Sequence, residues 1–192
     1  MSDLPRIFHS VRSEDVFRTC DLCACDLTEP GRRHIVLKAF HTRRGGPPEP
    51  ITEFALCTRC LENDFPQPSD ESLEAIIAFR AEKTDRTAVF RLPPADGIPS
   101  GCELCGRTVD DCRTFTARAD VVAEDDGSLR LARRPSLPWF PGSPAMVCDD
   151  CNGQIAERLS KQTRDDWDRF YDAISDPDPS IELDDAPQPL FV

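Results

Sequence analysis

Cys102-Glu103-Leu104-Cys105-Gly106 and Cys148-Asp149-Asp150-Cys151 are the two stretches that decide the fold. In each stretch two residues separate the cysteines, so one tight turn can deliver two sulfur atoms to the same metal ion. Zinc takes four thiolates in a tetrahedron at Zn–S distances of about 2.3 Å. The two pairs therefore predict a four-thiolate zinc site with the ligands Cys102, Cys105, Cys148 and Cys151.

A second quartet lies upstream and has the same arrangement of two pairs. Cys20-Asp-Leu-Cys23 matches Cys102-Glu-Leu-Cys105, and the second pair of each quartet follows an aliphatic residue. The repeat predicts an internal duplication and two zinc ions per chain. The ligands of the upstream site would be Cys20, Cys23, Cys57 and Cys60.

The predicted fold class is small α+β, with two tandem treble-clef-like zinc modules that each contain a knuckle, a β-hairpin and a helix. A module of about 80 residues has a small hydrophobic core, so a bound metal is expected to stabilise it. The predicted parts are an N-terminal arm (1–19), zinc module 1 (20–86), a strand and Pro-rich linker (87–101), zinc module 2 (102–175) and an acidic disordered tail (176–192).

Residue patterns predict the elements within each module. The predicted strands are 34–42, 51–56, 87–92, 113–123 and 129–133. The predicted helices are one turn at 61–65, a longer helix from 69 or 70 to 83, a helix at 152–160 and a final stretch that begins near Thr163.

The charge of the chain is strongly acidic. It has 35 acidic and 23 basic residues, a formal net charge of −12 and a pI near 4.7. Affinity for polyanions comes from Lys and Arg, so general nucleic-acid binding is not expected. A DNA-associated regulator is the lesser alternative function. It would use two local basic groups, which are interpreted first as solvated strand faces. The first group is Arg32, Arg33, Lys38, Arg43 and Arg44, and the second is Arg130, Arg133 and Arg134.

The ten cysteines are interpreted as reduced metal ligands rather than disulfides. Residues 1–9 contain no apolar core of a signal peptide, and no apolar run has the roughly 20 residues that a membrane span requires. Both observations predict a cytoplasmic protein without a membrane segment, in which thiols stay reduced.

The second module resembles the N-terminal four-cysteine zinc-binding domain of the Clp protein-unfoldase ATPase. The shared features are Cys102-x-x-Cys105-Gly106 and the hydrophobic-Cys-Asp-x-Cys pattern at 147–151. The resemblance implies metal ligation by the four cysteines of this module, and by the repeat of the upstream four. It also implies a small module that dimerises and binds other proteins without doing chemistry. No Walker motif follows, so unfoldase activity is not expected.

Catalysis is not expected at either site. Catalytic zinc usually keeps an open position for water, and four cysteines per site leave none. A nuclease of the HNH type needs histidines on the hairpin and the following helix, but the chain contains only His9, His34 and His41. The sequence therefore predicts no enzymatic activity.

Two cysteines, Cys25 and Cys112, remain outside the quartets. They do not align between the repeats, which favours ordinary thiols without a ligand role. The alternative is a redox role, because Cys23-Ala-Cys25 followed by Cys57-x-x-Cys60 resembles the zinc switch of a redox-regulated holdase chaperone. In that interpretation a spare thiol exchanges into the zinc cluster and ejects the metal.

The expected work of the chain is protein–protein interaction, as an adaptor with protein partners; a homodimer is left open. A run of prolines at 135–144 includes Pro138, Trp139, Phe140 and Pro141. A second candidate surface is the helical stripe that contains Trp167 and Tyr171, and a third is the C-terminal tail, which ends in Leu190-Phe191-Val192. Both aromatic groups are interpreted first as packing residues and second as a docking surface.

Overall fold

The computed structural model describes residues 4–43, 46–84, 101–132, 136 and 144–174. Within them the chain forms a small mixed α/β fold with one antiparallel sheet and four α-helices. The strands are β1 (Arg33–His41), β2 (Glu49–Cys57), β3 (Thr114–Ala123), β4 (Leu129–Leu131) and β5 (Ala145–Cys148). The helices are α1 (Thr58–Asn63), α2 (Asp70–Thr84), α3 (Asp149–Ala156) and α4 (Lys161–Ile174).

The starts of two helices were predicted wrongly. The helices predicted from residues 61 and 152 begin at Thr58 and Asp149, directly after the first cysteine of a pair. Cys57 and Cys148 are the N-cap residues, and neither makes a side-chain capping hydrogen bond. The usual capping residues Ser, Thr, Asp and Asn are absent from these two positions, so neither helix start could be predicted from a capping signal. The strand predicted at 87–92 lies outside the described residues.

A single antiparallel sheet contains the strands that the structure describes in both halves, in the order β2-β1-β3-β4, with β5 also paired with β3. Strands β1 and β3 pair along their whole length, from Arg33 opposite Val122 to His41 opposite Thr114. The first and second cysteine quartets therefore lie on one continuous sheet. No local pattern predicts the register between two strands so far apart in the sequence, which is why this pairing was not foreseen.

Strands β4 and β5 lie along the same edge of β3, because β1 occupies the other edge. Val121 pairs with Leu131 of β4, whereas Arg118 pairs with Ala145 of β5. A continuous β4 would place residue 134 opposite Arg118. Residues 132–144 therefore separate two strands that pair with the same edge of β3.

Both faces of the two central strands are buried. On one face the Lys38 ammonium donates to the His9 carbonyl at 2.6 Å, so N-terminal residues cover this side. On the other face the Asn152 amide of α3 donates to the Thr116 hydroxyl at 3.3 Å. Residues 38 and 116 point to opposite sides because Lys38 pairs with residue 117, and side chains alternate along a strand.

Candidate metal centres

The first candidate centre brings together the cysteines of the first quartet. Cys20 and Cys23 lie in the knuckle before β1, Cys57 ends β2 and Cys60 lies in α1. Their four sulfur atoms are all within 4.8 Å of one another, and Cys23 Sγ is 3.8 Å from Cys57 Sγ. A tetrahedron with Zn–S distances of about 2.3 Å has sulfur–sulfur edges of about 3.8 Å. The donor set and its spacing therefore fit a zinc ion.

The second candidate centre repeats this geometry in the second half. Cys102 and Cys105 lie in the knuckle before β3, while Cys148 ends β5 and Cys151 lies in α3. The four sulfur atoms are again within 4.8 Å of one another, and Cys105 Sγ is 3.6 Å from Cys148 Sγ. The structure thus brings together each of the two predicted quartets.

The two knuckles share a backbone turn that sequence spacing alone only suggests. The Ala24 N–H donates to the Cys20 carbonyl at 2.8 Å, and the Gly106 N–H donates to the Cys102 carbonyl at 2.8 Å. Ala24 and Gly106 each follow the second cysteine directly, and their φ angles are 55° and 74°. Glycine adopts this left-handed conformation without steric cost, whereas an alanine is strained by roughly 1–2 kcal/mol.

Each knuckle is fixed to the edge of the sheet. The Asp21 N–H donates to the Ala55 carbonyl of β2 at 2.9 Å, and the Ala55 N–H donates to the Asp21 carboxylate at 2.6 Å. In the second half the Glu103 N–H donates to the Met146 carbonyl of β5 at 2.9 Å. These bonds bring the first two cysteines of each quartet next to the strand that ends in the third.

Hydrogen bonds favour the thiolate form of one cysteine in each cluster. The Cys25 N–H is the main contributor that lowers the pKa of Cys23 to about 6. In the second cluster the thiols of Cys102 and Cys151 lower the pKa of Cys148 to about 4. Because the thiolate is the form that binds metal, each cluster contains a cysteine that ionises readily.

An arginine lies beside each cluster. Arg59, exposed on α1, contacts the sulfur of Cys23, and this contact raises the pKa of the arginine. In the second half Arg107 forms an ion pair with Asp150 next to Cys148 and Cys105. A zinc ion with four thiolates has a net charge of about −2, and a nearby guanidinium offsets part of it.

The two cysteines outside the quartets also lie near the clusters. Cys112 Sγ is within 4.8 Å of Cys148 Sγ and of an Asp149 carboxylate oxygen, and its thiol donates to the Thr108 carbonyl at 3.1 Å. Burial, which is the largest effect, raises the pKa of Cys112 to about 12. Burial likewise raises the pKa of Cys25 to about 12, with further contributions from its neighbours in the first cluster. Their unequal positions in the sequence did not predict that both would lie beside a cluster.

A buried ionic group next to the second knuckle was missed by the sequence analysis. Arg80 of α2 pairs with Glu103 at 3.2 Å, and both side chains are mostly buried. Burial raises the pKa of Glu103 to about 7, although Arg80 and Arg118 oppose this shift. Asp120 of β3 accepts a hydrogen bond from the Ser136 N–H at 2.6 Å. Charged residues in strand patterns suggest solvent exposure, so sequence alone gave no signal for this group.

The candidate partner-binding residues fall into two sets. Trp167 is fully buried and Tyr171 is 4% exposed, so in this structure they contact other parts of the chain rather than solvent. Pro138, Trp139, Phe140 and Pro141 lie outside the described residues.

The basic residues of the two hairpins are largely paired with acids. Lys38 is 2% exposed and pairs with Glu53 at 2.8 Å, so its interpretation as part of a solvated strand face was wrong. Residues 44, 133 and 134 lie outside the described residues. Exposed or half-buried pairs are Arg32 with Glu29, Arg43 with Glu49 and Arg130 with Glu124.

Comparisons with protein-family models, with curated proteins and with solved structures find no match. The fold and the two clusters define a small mixed α/β protein with two candidate zinc sites, each made of four cysteines. Among the described residues, no helix combines the length and apolar character that crossing a membrane would require.

Proposed function

We propose that this chain is a non-catalytic zinc protein whose two structural Zn(Cys)₄ centres hold a protein-interaction module together. The proposal rests on the convergence of two separate cysteine quartets. In each quartet the four sulfur atoms lie within 4.8 Å of one another. Four thiolates fill every position of a tetrahedral ion, which is the pattern of structural rather than catalytic zinc.

The arrangement of each half supports treble-clef-like modules that arose by duplication. In both halves the order is a knuckle, antiparallel strands, and a helix that begins between the third and fourth cysteine. The matching backbone hydrogen bonds of the two knuckles also support this interpretation. In such modules the metal replaces part of a hydrophobic core, so its binding free energy is also folding free energy.

We further propose that the chain acts in the cytoplasm as an adaptor that binds other proteins. The formal charge of −12 and the acid-paired arginines disfavour nucleic acid and leave protein as the partner class. Since Trp167 and Tyr171 are buried, the remaining candidate docking segments are the Pro-rich run with Trp139 and Phe140 and the C-terminal tail at 176–192.

Metal analysis tests the zinc assignment. The purified full chain is expected to contain two zinc ions, and cobalt substitution should give the spectrum of tetrahedral thiolate coordination at both sites. Cys57→Ser with Cys60→Ser should remove the first centre, while Cys25→Ser is the control that should retain both. A folded chain without metal, unaffected by chelators, would disprove the proposal.

A separate experiment tests the adaptor role. The zinc-loaded chain and the variant Trp139→Ala/Phe140→Ala are compared in affinity capture, followed by direct binding measurements with each purified candidate. A partner that binds the wild type and not the variant is expected. Equal binding by both chains would remove the Pro-rich run from the proposal.

The placement of Cys112 favours a second candidate function, a redox-sensing zinc switch. A hydroperoxide would oxidise the Cys148 thiolate to a sulfenic acid and leave as an alcohol or water. The Cys112 thiol would then form a disulfide with Cys148, releasing a water molecule and the zinc. Mild peroxide should release one zinc from the wild type, reversibly with reductant, and none from Cys112→Ser. Unchanged zinc content in both chains would exclude the switch.

A further inference from the structure

Helix α4, which follows the second cysteine cluster, packs against the first half of the chain. The fully buried Trp167 donates from Nε1–H to the Pro66 carbonyl at 2.8 Å. Phe170 contacts Phe65 edge to face, with ring centroids 5.1 Å apart. Phe65 and Pro66 lie two and three residues after the end of α1, the helix that carries Cys60. Helix α4 therefore packs against the segment that follows α1 in the first half.

Helix α2, which follows the first cluster, packs against the second half in return. Arg80 reaches Glu103, which lies inside the second knuckle, at 3.2 Å. Glu82 accepts two hydrogen bonds from Arg158 at 3.1 and 3.0 Å, and the same guanidinium lies 4.6 Å from the centroid of the Phe79 ring. Helix α2 of the first half thus packs on the second half, and helix α4 of the second half packs on the first. We call α2 and α4 the exchanged helices.

The two exchanged helices also cap each other. Ser69 and Ser72 lie at the start of α2, and Ser160 and Thr163 lie at the start of α4. The Ser160 N–H donates to Ser72 Oγ at 2.9 Å, and the Ser69 N–H donates to Thr163 Oγ1 at 3.0 Å. Ser72 and Thr163 are buried. Since the first N–H groups of a helix have no partner inside it, each helix start depends on the other.

We propose that the two metal centres load cooperatively, because each zinc orders the surface on which the other half's helix packs. This inference rests on the proposed zinc binding. Zinc at the first centre fixes α1 and the following Phe65, which form the docking surface of α4. Zinc at the second centre fixes the knuckle with Glu103 and α3, which form the docking surface of α2. Such coupling is reciprocal, so either zinc raises the affinity of the other site.

Native mass spectrometry of the full chain at limiting zinc tests the proposal. Chains without zinc and chains with two zinc ions should dominate when zinc is sufficient for half of the sites. Two independent sites of equal affinity would instead leave about half of the chains with a single zinc, and unequal sites would leave more. We expect the second zinc to bind about tenfold more tightly than the first, within the usual range of coupling.

Variants at the helix interfaces make the test specific. Trp167→Phe removes the bond to Pro66 and keeps an aromatic ring, while Glu82→Gln weakens the contact of α2 with Arg158. Both should increase the singly loaded fraction while total zinc capacity stays at two. Lys161→Ala is the matched control on α4, because this side chain is 80% exposed, and it should behave as the wild type.

The outcomes separate this inference from the function on which it rests. A wild-type chain that binds two zinc ions with an abundant singly loaded species would overturn cooperative loading and leave the zinc assignment intact. A cooperative wild type whose singly loaded fraction is unchanged in Trp167→Phe and in Glu82→Gln would also overturn it, because the coupling would not pass through the exchanged helices. A chain that binds no zinc would refute the proposed function itself.

Discussion

Two substitutions at equivalent positions of the knuckles should change zinc affinity in opposite directions. Ala24 and Gly106 both have positive φ, at 55° and 74°. Gly106→Ala places an alanine in the left-handed region of the second knuckle, and Ala24→Gly relieves the same strain in the first. A Cβ at position 106 would meet no atom within 4 Å, so the effect is one of backbone conformation alone.

The expected magnitude follows from two opposing terms. The left-handed conformation costs an alanine roughly 1–2 kcal/mol relative to the right-handed one. Glycine avoids this cost, but its freer unfolded chain costs about 0.4–1 kcal/mol. The net effect is about 1 kcal/mol in each direction. Because the knuckle turn and the metal site form together, zinc affinity should fall about fivefold in Gly106→Ala and rise about fivefold in Ala24→Gly.

Competition with a chromophoric chelator at fixed pH measures both affinities on the full chain. Gly127→Ala is the control, since Gly127 has a φ of 77° but lies in the β3–β4 turn, outside both knuckles. It should lower the denaturation midpoint and weaken zinc binding at both sites alike, whereas Gly106→Ala should weaken the second site more than the first. Shifts of the same sign in Gly106→Ala and Ala24→Gly would refute the equivalence of the two knuckles, and so would the absence of any shift.

Three further predictions concern folding stability. Lys38→Met leaves the carboxylate of Glu53 buried without its 2.8 Å ion pair and should lower the free energy of unfolding by about 3–5 kcal/mol in urea titrations. Lys38→Met/Glu53→Leu should recover most of that loss, and a single variant as stable as the wild type would contradict this. Gly153→Ala, where an added Cβ meets nothing within 4 Å in α3, should raise the free energy of unfolding by about 0.5–1 kcal/mol; an unchanged melting temperature would count against it. Chelation of the zinc should abolish the cooperative thermal transition followed by tryptophan fluorescence, and an unaltered transition would show that coordination does not stabilise the core.

The sequence predicted the parts of this structure that depend on short spacings. Two residues between cysteines define a knuckle, and the strands predicted at 113–123 and 129–133 pair as the β3–β4 hairpin. The helix starts were missed because Cys57 and Cys148 occupy N-cap positions that their residue type does not announce. Each of these helix starts lies in a cluster of four sulfur atoms that come from two distant segments. A short stretch of sequence contains only one of the two cysteine pairs.

The joining of the halves depends on contacts between distant residues, which spacing does not encode. The pairing of β1 with β3 brings Leu37 opposite Arg118, and the exchange of α2 and α4 joins Ser69 to Thr163. The stripe with Trp167 predicted a packing face, but nothing in its periodicity states which surface the face contacts. A hydrophobic stripe specifies that a partner exists, and only the fold identifies it.

The two clusters differ most in the residues that surround them, and the differences offset one another. Arg59 lies between the last two cysteines of the first quartet, at the position that Asp150 occupies in the second. Arg107 follows the second knuckle at the position that Cys25 occupies after the first. Each cluster therefore has an arginine beside its thiolates, which comes from α1 in the first half and from the residues after the knuckle in the second. A Zn(Cys)₄ centre of charge about −2 in an already acidic chain benefits from such a cation wherever it is attached. The surrounding sequence can thus differ between the two sites while their electrostatic requirement stays the same.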